Sequence, residues 1–232
     1  MKTSKRYEAL IKKYNPQETY SLKEGVEILK NLGSCKFDES VEIHIKLNVD
    51  PKKTDQLIRG AVELPYGTGK KVRILAITTG ENVKKAEEAG ADYVGGDDVI
   101  EKIKQGWLDF DVVVATPDMM PKLGQIGKIL GPRGLMPSPK SGTVSQDIAG
   151  AIKSLKKGKV TYKTDKTGVI HSAIGKVSFS TEQIYENAKE FIKEIFRSRP
   201  QNVKGEFVKS VYLATTMSPS VKLDVNELRN IR

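Results

Sequence analysis

Cysteine is almost missing from this sequence. Cys35 is the only one among 232 residues, so no intrachain disulfide can form, which fits a reducing compartment. Histidine is nearly as scarce, with His44 and His171 far apart in the chain. The chain therefore lacks the clustered ligands that a structural zinc site needs, and both histidines read as strand residues. Nucleophilic catalysis finds no constellation either, because spacing supplies no third orienting group for Cys35 and His44. Long apolar runs are absent, none approaching the roughly 20 residues of a membrane span. The opening MKTSKRYEALIKKY is basic but carries no apolar core or small-residue cleavage site, unlike a secretory signal. Neither internal repeats nor low-complexity segments occur. Acids are outnumbered, 29 against 39 lysines and arginines, for a net charge of +10. That balance favours a polyanionic partner, nucleic acid or an anionic membrane surface. With 38% hydrophobic and 29% charged residues, the composition is that of a folded chain, not a disordered one. The length suits one large or two small domains.

What the sequence has in quantity is glycine and proline at its centre. Residues 124–144 read GQIGKILGPRGLMPSPKSGTV. Gly124, Gly127, Gly131, Gly134 and Gly142 alternate with Pro132, Pro137 and Pro139, and Lys128, Arg133 and Lys140 lie among them with no acid between. Glycine lets a backbone approach a ligand closely, while proline stiffens the path and removes donors. The expectation is a shaped, cationic loop. Two readings stand for it: a phosphate cradle of backbone N–H groups and cations, or a structured surface loop rich in turn formers. Nucleotide motifs fail. In residues 67–71, GTGKK, the position of the leading P-loop glycine holds Leu64, and Lys71 replaces the hydroxyl that would bind magnesium. Gly124, Gly127 and Gly131 lack Rossmann spacing. The acids Asp97 and Asp98, and Asp109 and Asp111, read as helix N-terminal charge and a strand edge. No cofactor or metal is expected.

Periodicity outlines the architecture. Residues 4–14 suit a basic amphipathic helix with Tyr7, Leu10, Ile11 and Tyr14 on one face. Ser21 and Glu24 have capping-box spacing and open a second helix through Leu22, Val26, Leu29 and Leu32. Val41, Ile43, Ile45, Leu47 and Val49 then alternate with Glu42, His44, Lys46 and Asn48, the pattern of a half-buried strand. A short helix at 52–59 and a strand at 61–64 follow. Residues 72–77 and 112–115 are nearly continuous apolar sequence, as in strands covered on both faces. Helices at 81–89 and 98–105 and a short strand at 92–94 lie between them, and a helix at 147–157 comes after the glycine-rich stretch. Residues 160–163 and 169–172 are expected to pair as a hairpin across 165–168. A long helix from Ser180 carries Ile184, Ala188, Phe191, Ile192 and Ile195 on one face and stops at Pro200. Strands at 207–216 and 221–225 end the chain. Neither end has enough strands for a good sheet alone. The expected fold class is α/β: a split α+β domain from 1–66 and 158–232, with a three-layer, Rossmann-like α/β domain, 67–157, inserted through two linkers.

Residues 127–144, GKILGPRGLMPSPKSGTV, resemble the signature of the ribosomal protein L-one family, bacterial type, the stalk proteins of the large ribosomal subunit. KFDESVEIHIKLNVDPKK (36–53), EEAGADYVGGDD (87–98), DKTGVIH (165–171) and VYLATTMSPSVKLD (211–224) resemble further family blocks in family order. The resemblance covers nearly the whole chain. It implies a structural protein and no enzyme, monomeric when free, in the cytoplasmic ribosome and without membrane contact. Its implied partners are large-subunit rRNA at the mobile stalk, exit-site tRNA, and its own operon's mRNA, which it would repress. Carried over by motif, the implied RNA-binding residues are Lys36, Phe37, Ser40 and Glu42, then Asp165, Lys166 and Thr167, then Ser210, Thr216, Met217 and Ser218. Lys36 and Lys166 suit phosphates, Ser40, Ser210 and Thr216 suit ribose hydroxyls, and Glu42 and Asp165 suit hydroxyl or base donors. Phe37 suits a ribose or base, against a plain role in packing; Met217 suits a base or sugar, against core filling. Lys128, Arg133 and Lys140 are implied in a secondary RNA contact. One departure stands out: the family usually has glycine after the late-strand methionine, where this chain has Ser218. The alternative function is an α/β enzyme acting on a phosphorylated substrate through the glycine-rich stretch.

Overall fold

Two periodicities, alternation near both ends and continuous apolar runs between, separate into two units in space. The computed structural model describes residues 4–51, 53 and 56–231. In chain order its elements are α1 (Lys5–Ile11), α2 (Leu22–Leu32), β1 (Ser40–Leu47), β2 (Arg59–Glu63), β3 (Ile74–Ile77), α3 (Glu81–Glu88), β4 (Tyr93–Gly95), α4 (Asp97–Lys104), β5 (Val112–Ala115), α5 (Met120–Gln125), α6 (Gly127–Leu130), α7 (Ile148–Lys157), β6 (Lys159–Lys163), β7 (Val169–Lys176), α8 (Thr181–Arg197), β8 (Val208–Thr215), β9 (Val221–Leu223) and α9 (Val225–Arg229). One unit takes the chain up to residue 69 and again from 160; the other is continuous over 70–159.

In the split unit β1 lies between β7 and β8, and β9 follows β8, making an antiparallel sheet in the order β7-β1-β8-β9. Alternation decides its two faces. Val41, Ile43, Ile45 and Leu47 are buried in one cluster with Leu22, Val26 and Leu29 of α2 and Ile184, Ala188, Phe191, Ile192 and Ile195 of α8. Burying each such side chain stabilises the fold by about 1.5–3 kcal/mol. Capping boxes start both helices, at Ser21 with Glu24 and at Ser180 with Gln183. Gly25 lets α2 lie close on β9, since a Cβ there would sit 2.5 Å from Leu223 Cδ2. Asn187, fully buried on α8, donates to the carbonyls of Gly67 and Ile174 and accepts from the Tyr66 N–H. It fixes the chain just before it leaves this unit.

Three expectations change here. The N-terminal helix stops at Ile11, and Tyr14 reaches the core from beyond it, its hydroxyl donating to the Ser220 carbonyl at 3.0 Å. The hairpin across 165–168 closes through a single antiparallel bridge, Thr164 with Ile170, and no further, because β6 joins β2 in a separate two-stranded sheet and β7 joins β1. Thr164 explains the divergence: its N–H and hydroxyl donate to the Ile58 carbonyl, and its Oγ1 accepts the Ile58 N–H, drawing the end of β6 toward the start of β2. The short helix expected at 52–59 falls partly outside the described residues, and β2 begins at Arg59.

The continuous unit has a parallel sheet in the order β4-β3-β5. Its strands β3 and β5 are buried on both faces, as their unbroken apolar sequence requires, while the edge strand β4 is half-buried. Ile74, Ala76 and Val114 face α3 and α7 on one side, while Leu75, Ile77, Val113 and Ala115 face α4, α5 and α6 on the other. The glycine-rich stretch is not the loop expected. Its first part is helical, because Leu123, Ile126 and Leu130 recur at helical spacing and bury themselves in the second of these layers. The remainder turns through Pro139–Ser141 and returns Val144 beside Ala115. The acid pairs are accounted for by charge. Asp97 pairs with Lys122 at 2.7 Å, while Arg73 engages both Asp109 and Asp111. The hydrogen bond from Lys70 is the main reason the Asp111 carboxyl is lowered to about 2. Among the described residues no group of three or more His, Cys, Asp or Glu is placed to hold a metal, and no helix is long and apolar enough to cross a membrane.

Candidate nucleic-acid interface

The alternation that buries one face of β1 turns Ser40, Glu42, His44 and Lys46 to the other. Register extends this polar face across the sheet. His44 stands opposite His171 on β7 and Tyr212 on β8, Tyr212 stands opposite Lys222 on β9, and Lys46 stands opposite Ser210. The implied RNA-binding residues gather at the two ends of β1, with Glu42 between.

At the Ser40 end, the main chains of β1 and the turn after β8 exchange bonds. The Ser40 N–H donates to Thr216 Oγ1 at 3.0 Å, and the Thr216 N–H donates to the Ser40 carbonyl at 3.1 Å. Lys176 Nζ adds a bond to Ser40 Oγ at 2.9 Å. Phe37 and Met217 flank this junction and are 54% and 46% exposed, among the few large apolar side chains left in solvent. Core roles for both are thereby excluded. Lys36 is also exposed. Ser218 turns its hydroxyl into the protein, accepting from the Thr215 N–H at 2.9 Å and donating to the Pro219 carbonyl at 3.0 Å. No residue other than glycine has positive φ among the described residues, so serine fits this turn without backbone strain.

At the Leu47 end, the Asp165 carboxylate accepts from the N–H groups of Thr167 and Val169 and from the Thr167 hydroxyl. Gly168, at φ +78°, makes the turn possible by adopting a conformation that side chains disfavour. Burial would raise the Asp165 carboxyl, but these bonds and nearby His171 hold it below the ordinary carboxylate range. Lys46 donates to the Thr167 carbonyl and clips the turn to β1. Lys166 remains exposed. Lys128, Arg133 and Lys140 belong to the continuous unit, where all three are exposed and form no ion pair among the described residues. They sit respectively on α6, in the turn after it, and in the Pro139–Ser141 turn.

Two features escaped the sequence reading as site components. The first is Glu39, 2% exposed. Its Oε1 accepts from the N–H groups of Ser34 and Cys35, both at 3.2 Å, and its Oε2 from the Thr215 hydroxyl at 2.6 Å and the Met217 N–H at 3.0 Å. Burial opposes its charge, but these four bonds together hold its carboxyl below the usual value. Arg6 braces the same junction from outside, donating to the Met217 carbonyl and Ser34 Oγ. The second is the histidine pair. His44 and His171 meet Nδ1 to Nδ1 at 2.8 Å, while their Nε2 atoms face Glu42 and Asp165 at 3.9 and 3.7 Å. Burial, then the neighbouring His171, lowers the His44 pKa, partly offset by Glu42.

Comparison with known proteins identifies the family. The chain is 50% identical to the large ribosomal subunit protein uL1 of Thermus thermophilus over 224 residues, covering 96% of this chain and 98% of the relative. It is 53% identical to the protein of the same name from Persephonella marina over 228 residues, covering 97% and 94%. Against that from Bacteroides thetaiotaomicron it is 49% identical over 230 residues, 99% of each. The profile described as the Ribosomal protein L1p/L10e family matches residues 28–219, and with these relatives it establishes that the chain belongs to that family.

Proposed function

We propose that this protein is a structural component of the large ribosomal subunit that binds large-subunit rRNA at the mobile stalk through the outer face and two ends of the β7-β1-β8-β9 sheet. Family membership removes the enzyme alternative, since the relatives are ribosomal proteins. The observation that carries the RNA reading is the junction at Ser40. There two apolar side chains, Phe37 and Met217, stand exposed beside hydroxyls and a lysine on a frame fixed by a buried carboxylate. Apolar side chains presented beside hydroxyls and cations suit unstacked bases, riboses and phosphates, the features by which folded RNA is recognised. The same surface is our candidate for binding the protein's own mRNA, by likeness to the rRNA site, and the stalk location is the basis for contact with departing tRNA.

Filter binding of a stalk rRNA fragment at several salt concentrations tests this. Tight binding that weakens as salt rises, with preference over an equally charged DNA duplex, is expected. Met217→Ala or Thr216→Ala should lower affinity about tenfold or more, within the range expected for removing a base-stacking or hydroxyl interaction, with circular dichroism unchanged. Equal affinity for RNA and the DNA duplex overturns the proposal.

A further inference from the structure

The split unit carries a second cationic feature that the sheet face does not use. A groove of about 830 Å³ runs between the end of α8, the loop over residues 199–207 and the end of α9. Phe196, Phe207 and Ile231 give it apolar walls, while Lys193, Arg197, Arg199 and Arg229 supply four cations against the single acid Glu206. That acid is already neutralised by Arg229 at 2.9 Å. Arg199 braces the loop by donating to the carbonyls of Val203 and Gly205. Lys193 and Arg197 make no ion pair among the described residues. The C-terminus of α8 accounts for Arg197 as a cation near a helix dipole, but a dipole does not explain cations contributed by three elements to one groove.

We propose that this groove binds a single-stranded RNA segment, with phosphates on Arg197 and Lys193 and a base or ribose against Phe196. The inference rests on the ribosomal reading above, which surrounds the protein with RNA. Of the two cations assigned to phosphates, Arg197 has the planar fork that matches phosphate oxygens and stacks on bases, and the half-buried Phe196 offers the flat apolar surface that single-stranded nucleic acid uses. The groove is separate from the Ser40 junction. Phe207 precedes β8 and Met217 follows it, so eight residues of strand, roughly 26 Å, lie between them. The groove also lies on the α8 side of the sheet, whose opposite face carries Glu42 and His44.

The test uses the full chain, a labelled oligouridylate as probe, and the stalk rRNA fragment in parallel. Lys193→Glu with Arg197→Glu should weaken oligouridylate binding about tenfold and flatten its logarithmic salt dependence by about 1.4, equivalent to two single-strand phosphates. Lys84→Glu with Lys85→Glu, the same change of charge at exposed positions on α3 of the continuous unit, should leave oligouridylate binding unchanged. Lys193→Gln with Arg197→Gln, a milder change at two surface positions, should give an intermediate loss and separates charge from any folding defect of the reversal. If the charge-reversed protein keeps full oligouridylate affinity, or if an oligoglutamate peptide binds the groove as tightly as the RNA does, the inference is overturned. Failure of the rRNA fragment to bind the unaltered protein would instead overturn the proposed function.

Discussion

Glu39 is a carboxylate at a position where alternation favours a hydrocarbon. Counting back by twos from Val41 places it on the inward phase of the strand, and that phase was the one available signal of its role. A buried carboxylate is tolerated only when hydrogen bonds replace its water, and four donors from two segments, residues 34–35 and 215–217, do so here. Its consequence is positional, because the loop bearing Phe37 and the turn bearing Met217 are held to the same two oxygens. Glu39→Gln replaces one acceptor oxygen by a donor and leaves a buried N–H or hydroxyl unsatisfied. Stability should fall by about 1–3 kcal/mol. Affinity for the stalk rRNA fragment, measured by calorimetry well below the melting temperature, should fall beyond what the unfolded fraction accounts for. An unaltered affinity would show that the junction does not depend on this carboxylate. Ser218 is the opposite case. The family habit of glycine marks the position as a departure, but the hydroxyl is engaged within its own turn, which the local sequence does not reveal.

Among elements, β1 was the most legible, since its alternation gave both its buried face and the outward placing of Ser40, Glu42, His44 and Lys46. β3 and β5 were equally plain from their unbroken apolar runs. Elements set by partners distant in sequence were not. β6 looked like half of a hairpin because hairpins are the commonest use of two strands across a short turn; the bonds that redirect it come from Ile58, 106 residues away from Thr164. The glycine-rich stretch misled for another reason. Glycine is a poor helix former, but burial of Leu123, Ile126 and Leu130 outweighs that preference. The histidine pair is a product of register, invisible until β1 and β7 are aligned. Because the fold lowers the His44 pKa, the unfolded chain takes up a proton first as pH falls. The stabilising contribution is therefore complete above the ordinary histidine pKa of about 6.5 and is lost below it. Urea midpoints should drop between about pH 7 and pH 5.5, and His44→Gln should flatten the profile. A pH-independent midpoint in the unaltered protein would refute this coupling.

For the molecule as a whole, charge and shape divide the work of recognition. In the RNA complex we propose, the excess of ten positive charges would act through phosphates and give no sequence information, whereas exposed Phe37 and Met217 would act through surface that salt does not screen. Replacing Lys36 and Lys166 by glutamine should therefore reduce the salt slope of rRNA binding by roughly 0.7–0.9 for each phosphate no longer neutralised. Met217→Ala should lower affinity and leave the slope unchanged, as titrations across a salt series would show. A slope change with Met217→Ala, or none with the lysine variants, would contradict this division.

The placing of β1 between β7 and β8 also sets a timetable for synthesis. β1 leaves the ribosome early, but both strands that flank it are encoded beyond residue 168, on the far side of the entire continuous unit. At elongation rates of about 5–20 residues per second the strand waits roughly 6–25 s for β7 to begin and roughly 8–32 s for β8. During that interval α2 has the apolar face of β1 to cover but no completed sheet, while the continuous unit has all of its own strands and can close first. Thr216, Met217 and Ser218 are made last among the implied contacts. A chain that stops before residue 215 therefore lacks the donors that assemble the Ser40 junction.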